Sequence, residues 1–145
     1  MKVSYKLDYA LKTMAALAMQ ENTLISIQEL SKKLDIPRKF LEQILTILKK
    51  GDFVVSKRGN IGGYLLARPA NQIMIGDIIR HLDGPLEPIA CLDNGYQGCL
   101  DMPSCVFREV WDQVHLAIKG VVDHISLADI VARFQANQRV ADYSI

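Results

Sequence analysis

The sequence predicts a mainly helical fold carrying one small β-hairpin. Three observations point that way. Apolar residues recur at spacings of three and four along most of the chain. Strand-like sequence is confined to Phe53-Val54-Val55 and Tyr64-Leu65-Leu66, joined by a turn that holds Gly59, Gly62 and Gly63. Helix-start signals stand at Ser26-Ile27-Gln28-Glu29 and Ser126-Leu127-Ala128-Asp129, each a hydroxyl with a carboxylate three residues on.

Taken in order, residues 5–20 form the first helix, with Leu7, Leu11, Met14 and Ala18 on one stripe and Ala10 and Leu17 beside it. Asp8 lies off that stripe and has Lys12 one turn on, which suits a surface pair of roughly 0.3–0.5 kcal/mol. The capped second helix turns Ile27, Leu30 and Leu34 inward and breaks at Asp35-Ile36-Pro37. A third helix, about Arg38–Lys50, buries Leu41, Ile44, Leu45 and Leu48 and leaves Arg38, Lys39, Gln43, Lys49 and Lys50 outward. Two short helices around a tight turn, the second opening on cationic and amide side chains, match a helix-turn-helix. Its second helix enters the major groove, where Arg, Lys, Gln and Glu reach base edges and phosphates.

Gly51 is expected to end that helix in a left-handed conformation. The hairpin that follows carries Lys57 and Arg58 at its tip. A basic hairpin alone is usually a solvated turn. Placed directly after a helix-turn-helix it reads as a wing, with glycines that turn the backbone and let it approach DNA. Residues 74–83 form a further helix, closed by Gly84-Pro85. Pro103-Ser104 can open the next, which puts Cys105 in or beside its first turn, where the macrodipole favours negative charge. Residues 106–124 are long and amphipathic, suited to lengthwise packing on a second helix; this is read as the dimerisation helix, an ordinary core helix being the other reading. A short final helix follows, carrying Ile130, Val131 and Phe134, and the tail after Ala136 gives no clear signal.

Composition narrows the function. The net charge of +1 hides an asymmetry: residues 1–68 hold twelve Lys or Arg against six acids, and residues 69–145 five against ten. A basic half beside an acidic half suits a protein whose first part faces a polyanion. No stretch of eighteen apolar residues occurs, so a membrane span is not expected and the cysteines are placed in a reducing cytoplasm. No phosphate loop, nucleophile elbow or catalytic acid pair is present, which argues against an enzyme. His81, His115 and His124 lack metal-like spacing, and solvated or core roles suit them better.

The three cysteines, Cys91, Cys99 and Cys105, all fall within one polar window, CLDNGYQGCLDMPSC. A core cysteine sits among apolar neighbours, and these do not. Their C-x7-C-x5-C spacing is too wide for the paired cysteines of zinc ribbons, and an odd number does not close a disulfide framework. Ligation of a cluster or metal, or direct thiol oxidation, remain the readings of this loop.

The sequence resembles the Rrf-type winged-helix transcriptional regulators, the family of IscR-, NsrR- and RirA-like proteins. The motifs that carry the resemblance are Tyr9-Ala10-Leu11, Phe40-Leu41-Glu42-Gln43-Ile44-Leu45, the wing Arg58-Gly59-Asn60-Ile61-Gly62-Gly63-Tyr64-Leu65-Leu66, and Ile125-Ser126-Leu127-Ala128-Asp129. It covers roughly residues 1–135. It implies a homodimeric regulator, usually a repressor, that binds double-stranded operator DNA and holds an iron–sulfur cluster on the three cysteines. It divides the chain into a winged helix-turn-helix DNA-binding domain (1–83), a cluster loop (84–104), and a dimerisation helix with a C-terminal helix (105–145).

By matching position, the resemblance implies DNA contacts from Ser26, Arg38, Lys39, Phe40, Glu42, Gln43 and Lys49 in the helix-turn-helix. From the wing it adds Lys57, Arg58, Gly59, Asn60, Gly62 and Gly63. The histidine that follows the third cysteine in IscR-like members is absent, Arg108 standing there. NsrR-like members use an Asp of the first helix of the other subunit, and Asp8 stands at that place. The wider first cysteine gap is closer to RirA-like proteins. Three cysteines and one carboxylate would each hold one iron of a cubane, so [4Fe–4S] is favoured over [2Fe–2S]. The alternative is a cluster-free winged-helix regulator that switches by cysteine oxidation or zinc.

Overall fold

The first helix starts because Ser4 takes extended backbone and its hydroxyl accepts from the Leu7 N–H at 3.1 Å. In the computed structural model, which describes residues 2–143, this helix is α1 (Tyr5–Met19). Its second half, Thr13 to Ala18, is buried on all sides. Alanines there let neighbouring backbones approach, and the one buried hydroxyl, Thr13 Oγ1, donates to the Tyr9 carbonyl at 2.7 Å. α1 packs against α2 (Ile27–Leu34), α3 (Arg38–Lys50), α4 (Ile75–Asp83), α6 (Leu127–Tyr143) and the strand β2 (Gly63–Leu66).

α2 has the expected cap: Ser26 Oγ accepts from Glu29 N–H at 3.1 Å. It ends at Asp35 in the left-handed region, φ 52°, and the Ser31 hydroxyl donates to the Ile36 carbonyl to hold the turn. Pro37 then occupies the N-cap of α3. Leu41, Ile44, Leu45 and Leu48 are buried as read from the sequence, each contributing about 1.5–3 kcal/mol by leaving water. The expectation for Gly51 is not met. Its φ is −89°, and the left-handed residue is Asp52, φ 57°. Space is tight at 51: a Cβ there would lie 2.7 Å from the His81 ring, whose Nε2 sits 2.7 Å from the Ile47 carbonyl, so a side chain would have to displace that ring.

β1 (Val54–Lys57) pairs antiparallel with β2 in the register Val54–Leu66 to Lys57–Gly63. Lys57 is therefore the last strand residue, and the tip spans residues 58–62. Ile25 and Tyr64 exchange backbone hydrogen bonds of 3.0 and 2.9 Å, which ties the hairpin to the start of α2.

α4 is joined to the corner between α5 (Val106–Val122) and α6. The Ile75 N–H donates to the Ile125 carbonyl at 3.0 Å and the Leu127 N–H to the Ile73 carbonyl at 2.8 Å. The second capping box closes in both directions: Ser126 N–H to Asp129 Oδ2 at 2.8 Å, and Asp129 N–H to Ser126 Oγ at 3.1 Å. These bonds hold the Asp129 carboxyl below its ordinary range. Arg80 donates to Asp123 at 2.7 Å across the same corner, and Gly76 leaves room, since a Cβ there would collide with Asp123 Oδ1.

α6 runs to Tyr143, well past the short helix expected. The tail lacks apolar periodicity, but after a closed capping box its Arg, Gln and Ala residues continue the helix by propensity, with no Gly or Pro to stop it. Only Leu127 of α6 is buried, in the same core as α1 to α4, and Phe134 is exposed. α5 buries none of its side chains within one chain, and Val106, Phe107, Val110, Leu116 and Val121 are all exposed.

The Arg80 hydrogen bond holds the Asp123 carboxyl below its usual value, and that bond in turn raises Arg80. A depressed carboxylate stabilises the fold fully above its unfolded value of about 3.9 and loses that contribution as pH falls through the lower folded value. Asp123→Asn is expected to lower the thermal midpoint at neutral pH and to flatten its decline below about pH 4. Thermal unfolding followed by circular dichroism between neutral and acid pH checks this; parallel curves for the two proteins would refute it.

Candidate nucleic-acid interface and cysteine loop

The N-terminal half of α3 stands clear of the core because its buried stripe starts only at Leu41. Arg38, Lys39, Phe40, Glu42 and Gln43 are exposed, Phe40 at 54%. Arg38 Nε donates to Glu42 Oε1 at 3.2 Å, so this pair orients a guanidinium and a carboxylate one turn apart on the outer face. Lys39 forms no ion pair among the described residues. Lys49, at the other end of α3, donates to Ser56 Oγ of β1 at 2.7 Å, a surface bridge from helix to wing.

The wing turn presents Lys57, Arg58, Gly59 and Asn60 outward. Gly59 has φ 122°, a conformation that needs glycine, and its N-terminal neighbour Arg58 is carried on that bend. Gly62 and Gly63 have internal reasons for being glycine. A Cβ on Gly62 would stand 2.6 Å from the Lys57 carbonyl, and one on Gly63 2.6 Å from the Ile25 carbonyl. Gly63 is buried there, so it shapes the wing from within rather than facing outward. Ser26 is half-buried and serves as the α2 cap. Ile61, part of the wing motif but not of the contacts the resemblance implies, is 88% exposed at the tip.

The cysteine loop leaves α4 at Gly84, φ 88°, and returns to α5 at Cys105. Pro103 and Ser104 belong to a separate turn, Met102–Ser104, and Cys105 is the N-cap of α5. Cys91 lies in the turn Ala90–Leu92, and its carbonyl accepts from Arg108 Nε at 3.3 Å. Arg108, read from the sequence only as a missing histidine, thus holds the first cysteine near the start of α5. Glu87 Oε1 lies 3.9 Å from His115 Nε2 of α5, beyond hydrogen-bond distance. All three thiols are free; Cys99 is exposed and the other two are half-buried.

Asp8 sits on α1 and accepts from Lys12 at 2.7 Å, the one-turn surface pair that its spacing allowed. Among the described residues, no three His, Cys, Asp or Glu side chains of one chain are drawn together as a metal site. The donor chemistry of the loop nevertheless suits a thiolate-ligated cluster: three uncombined soft ligands, accessible, on one segment. His81 and His124 face backbone carbonyls, of Ile47 and Gly120.

A family model for Rrf2, described as an iron-dependent transcriptional regulator, matches residues 3–133. The chain belongs to the Rrf2 family. It is 33% identical over 138 residues to an rrf2-like HTH-type transcriptional regulator of Rhodobacter capsulatus, with 90% of this chain and 92% of that one covered. It is 30% identical over 145 residues to the HTH-type transcriptional regulator IscR of Cronobacter sakazakii, covering 99% and 86%. Among solved structures it is similar to CymR, the global cysteine regulator of B. subtilis, with a TM-score of 0.78, 31% identity and coverage of 92% and 98%. It is also similar to IscR of T. potens, with a TM-score of 0.76, 31% identity and coverage of 95% and 91%. This Rrf2 chain is thus a DNA-binding transcriptional regulator with a winged-helix fold, and not an enzyme. No helix among the described residues is long and apolar enough to cross a membrane.

Gly63→Ala is expected to break the Ile25–Tyr64 pairing and cost about 1–3 kcal/mol, as overpacking against backbone does. Gly59→Ala, open to solvent, is expected to cost less, through φ alone. Urea unfolding of both variants checks the order, and a Gly59 variant that is the less stable of the two would contradict it.

Proposed function

We propose that this Rrf2-family protein is a homodimeric repressor whose operator affinity is set by an iron–sulfur cluster held on Cys91, Cys99 and Cys105. One observation carries the reading: every cysteine of the chain lies, uncombined, on the single loop that joins the DNA-facing half to α5. A bound cluster would supply reactivity toward iron shortage, oxygen or nitric oxide. The three thiolates would hold it, and Asp8 from a second copy would complete a [4Fe–4S] set, freed from Lys12 in doing so.

The residues of the chain explain how the loop would act. Its first end continues α4 through Asp83 and Gly84, and Asp83 accepts from the Ser4 hydroxyl at 2.8 Å, the cap of α1. Its second end is the N-cap of α5. Closing or opening the loop would shift α5 against α4, with Arg80–Asp123 at the far end as the fixed point. The unburied apolar face of α5 is where a second copy would pack, so that shift would change the separation of two reading heads. Their separation must match half-sites about one helical turn, or a multiple, apart. Arg38, Lys39, Phe40, Glu42 and Gln43 would meet the major groove, with Lys49 on phosphate and the wing residues Lys57, Arg58, Gly59 and Asn60 on the neighbouring groove.

A second reading has the same fold switching by oxidation of the thiols. The exposure of Cys99 favours it. Purification without oxygen distinguishes the two: about four iron and four sulfide per chain with a broad visible band support the cluster. Cys99→Ala is then expected to lose the chromophore. Colourless protein after reconstitution, with operator binding that responds to peroxide, would replace the first reading by the second.

Arg58→Ala is expected to weaken binding to the selected operator by about 1–3 kcal/mol. Fluorescence anisotropy at fixed salt measures it, and unchanged affinity would remove Arg58 from the contact surface.

A further inference from the structure

We infer that the groove between α1 and α3 holds the sugar–phosphate backbone of the DNA strand running beside the bases that α3 faces, with Lys6 as its phosphate contact. The inference rests on α3 being the DNA-facing helix. Tyr5, Lys6 and Tyr9 form one wall of the groove, and Phe40, Gln43 and Ile47 line the other; its volume is about 480 Å³.

Three features favour a DNA backbone as occupant. Phe40 and Gln43 belong both to this wall and to the outward face of α3, so the groove continues the reading surface. No acidic side chain lines it. Its cation is uncommitted: Lys6 is exposed and forms no ion pair among the described residues, whereas Lys12 is held by Asp8 and Arg38 by Glu42. Aromatic walls suit the apolar face of deoxyribose, and the tyrosine hydroxyls and the ammonium suit phosphate oxygens, the groups that position a protein on DNA without reading sequence.

One exposed hydrogen-bonded pair links this wall to the cysteine loop. Ser4, the α1 cap directly before Tyr5, donates to Asp83 at 2.8 and 3.1 Å, and Asp83 is the residue before Gly84, where the loop begins. A change in the loop would thus reach the backbone-holding wall through one hydrogen-bonded pair.

The test measures binding of the full chain, by anisotropy across a salt series, to a duplex it selects from a random library and to a scrambled duplex of equal composition. Lys6→Ala is expected to lower affinity for both by the same factor, roughly three- to tenfold, and to make the slope of log affinity on log salt shallower by about 0.9. Lys6→Arg is expected to restore both. Circular dichroism confirms that the exposed substitution leaves the helices intact. An unchanged salt slope for Lys6→Ala, while Gln43→Ala loses the selected duplex, would overturn the groove assignment alone. If neither variant alters binding, the α3 face itself is misplaced and both readings fall. A loss confined to the selected duplex, or a change in oligomeric mass with DNA affinity intact, would also overturn it, the first by making Lys6 a base contact and the second by making the groove a protein contact.

Discussion

The fold depends on the burial of α1. Met14 and Leu17 are almost wholly enclosed, and the alanines around them let α3, α4, α6 and β2 come close to one post. The reading helix and the wing are each mounted on an element that touches this post. The exposed face of α3 is fixed because its opposite stripe is buried under α1. The wing is fixed because Tyr64 of β2 pairs with Ile25 at the start of α2. Removing that shared core would release each surface separately, and nothing in the hairpin alone would hold it, since two short strands are marginal in water.

A second layer of order comes from a few polar links between distant segments. Ser4–Asp83 joins the start of α1 to the end of α4, and Arg80–Asp123 joins α4 to the end of α5. Arg108 ties Cys91 to the start of α5. These links surround the cysteine loop on both sides. They are partly exposed, so each is worth little as stability. Their value is geometric: each joins the loop, or an element that flanks it, to α1, α4 or α5. That suits a switch built on modest energies, where a ligand set by the loop needs to bias one packing arrangement over another.

Much of this was legible in the sequence. The α2 and α6 starts, the buried stripe of α3 and the hairpin strands all follow from residues within a turn or two of each other. The Asp8–Lys12 pair is of the same kind, a one-turn spacing that the structure realises. The roles of particular glycines were not legible. Gly51, Gly63 and Gly76 each make room for an atom far along the chain: the His81 ring, the Ile25 carbonyl and the Asp123 carboxylate. A turn rule assigns such glycines to backbone freedom, when what they supply is room.

The sequence by itself determined the local elements and the inventory of chemical groups, because caps, stripes and turn residues act through bonds that close within a few positions. It also determined the family, through motifs spread over most of the chain. Only the tertiary structure decided which of those groups meet. It placed Arg108 on the Cys91 carbonyl, carried α6 back to the first helix, and opened the groove between Tyr9 and Phe40. Such meetings depend on how helices pack against one another, and packing is set by side-chain shape across a shared core, which no stretch of sequence states on its own.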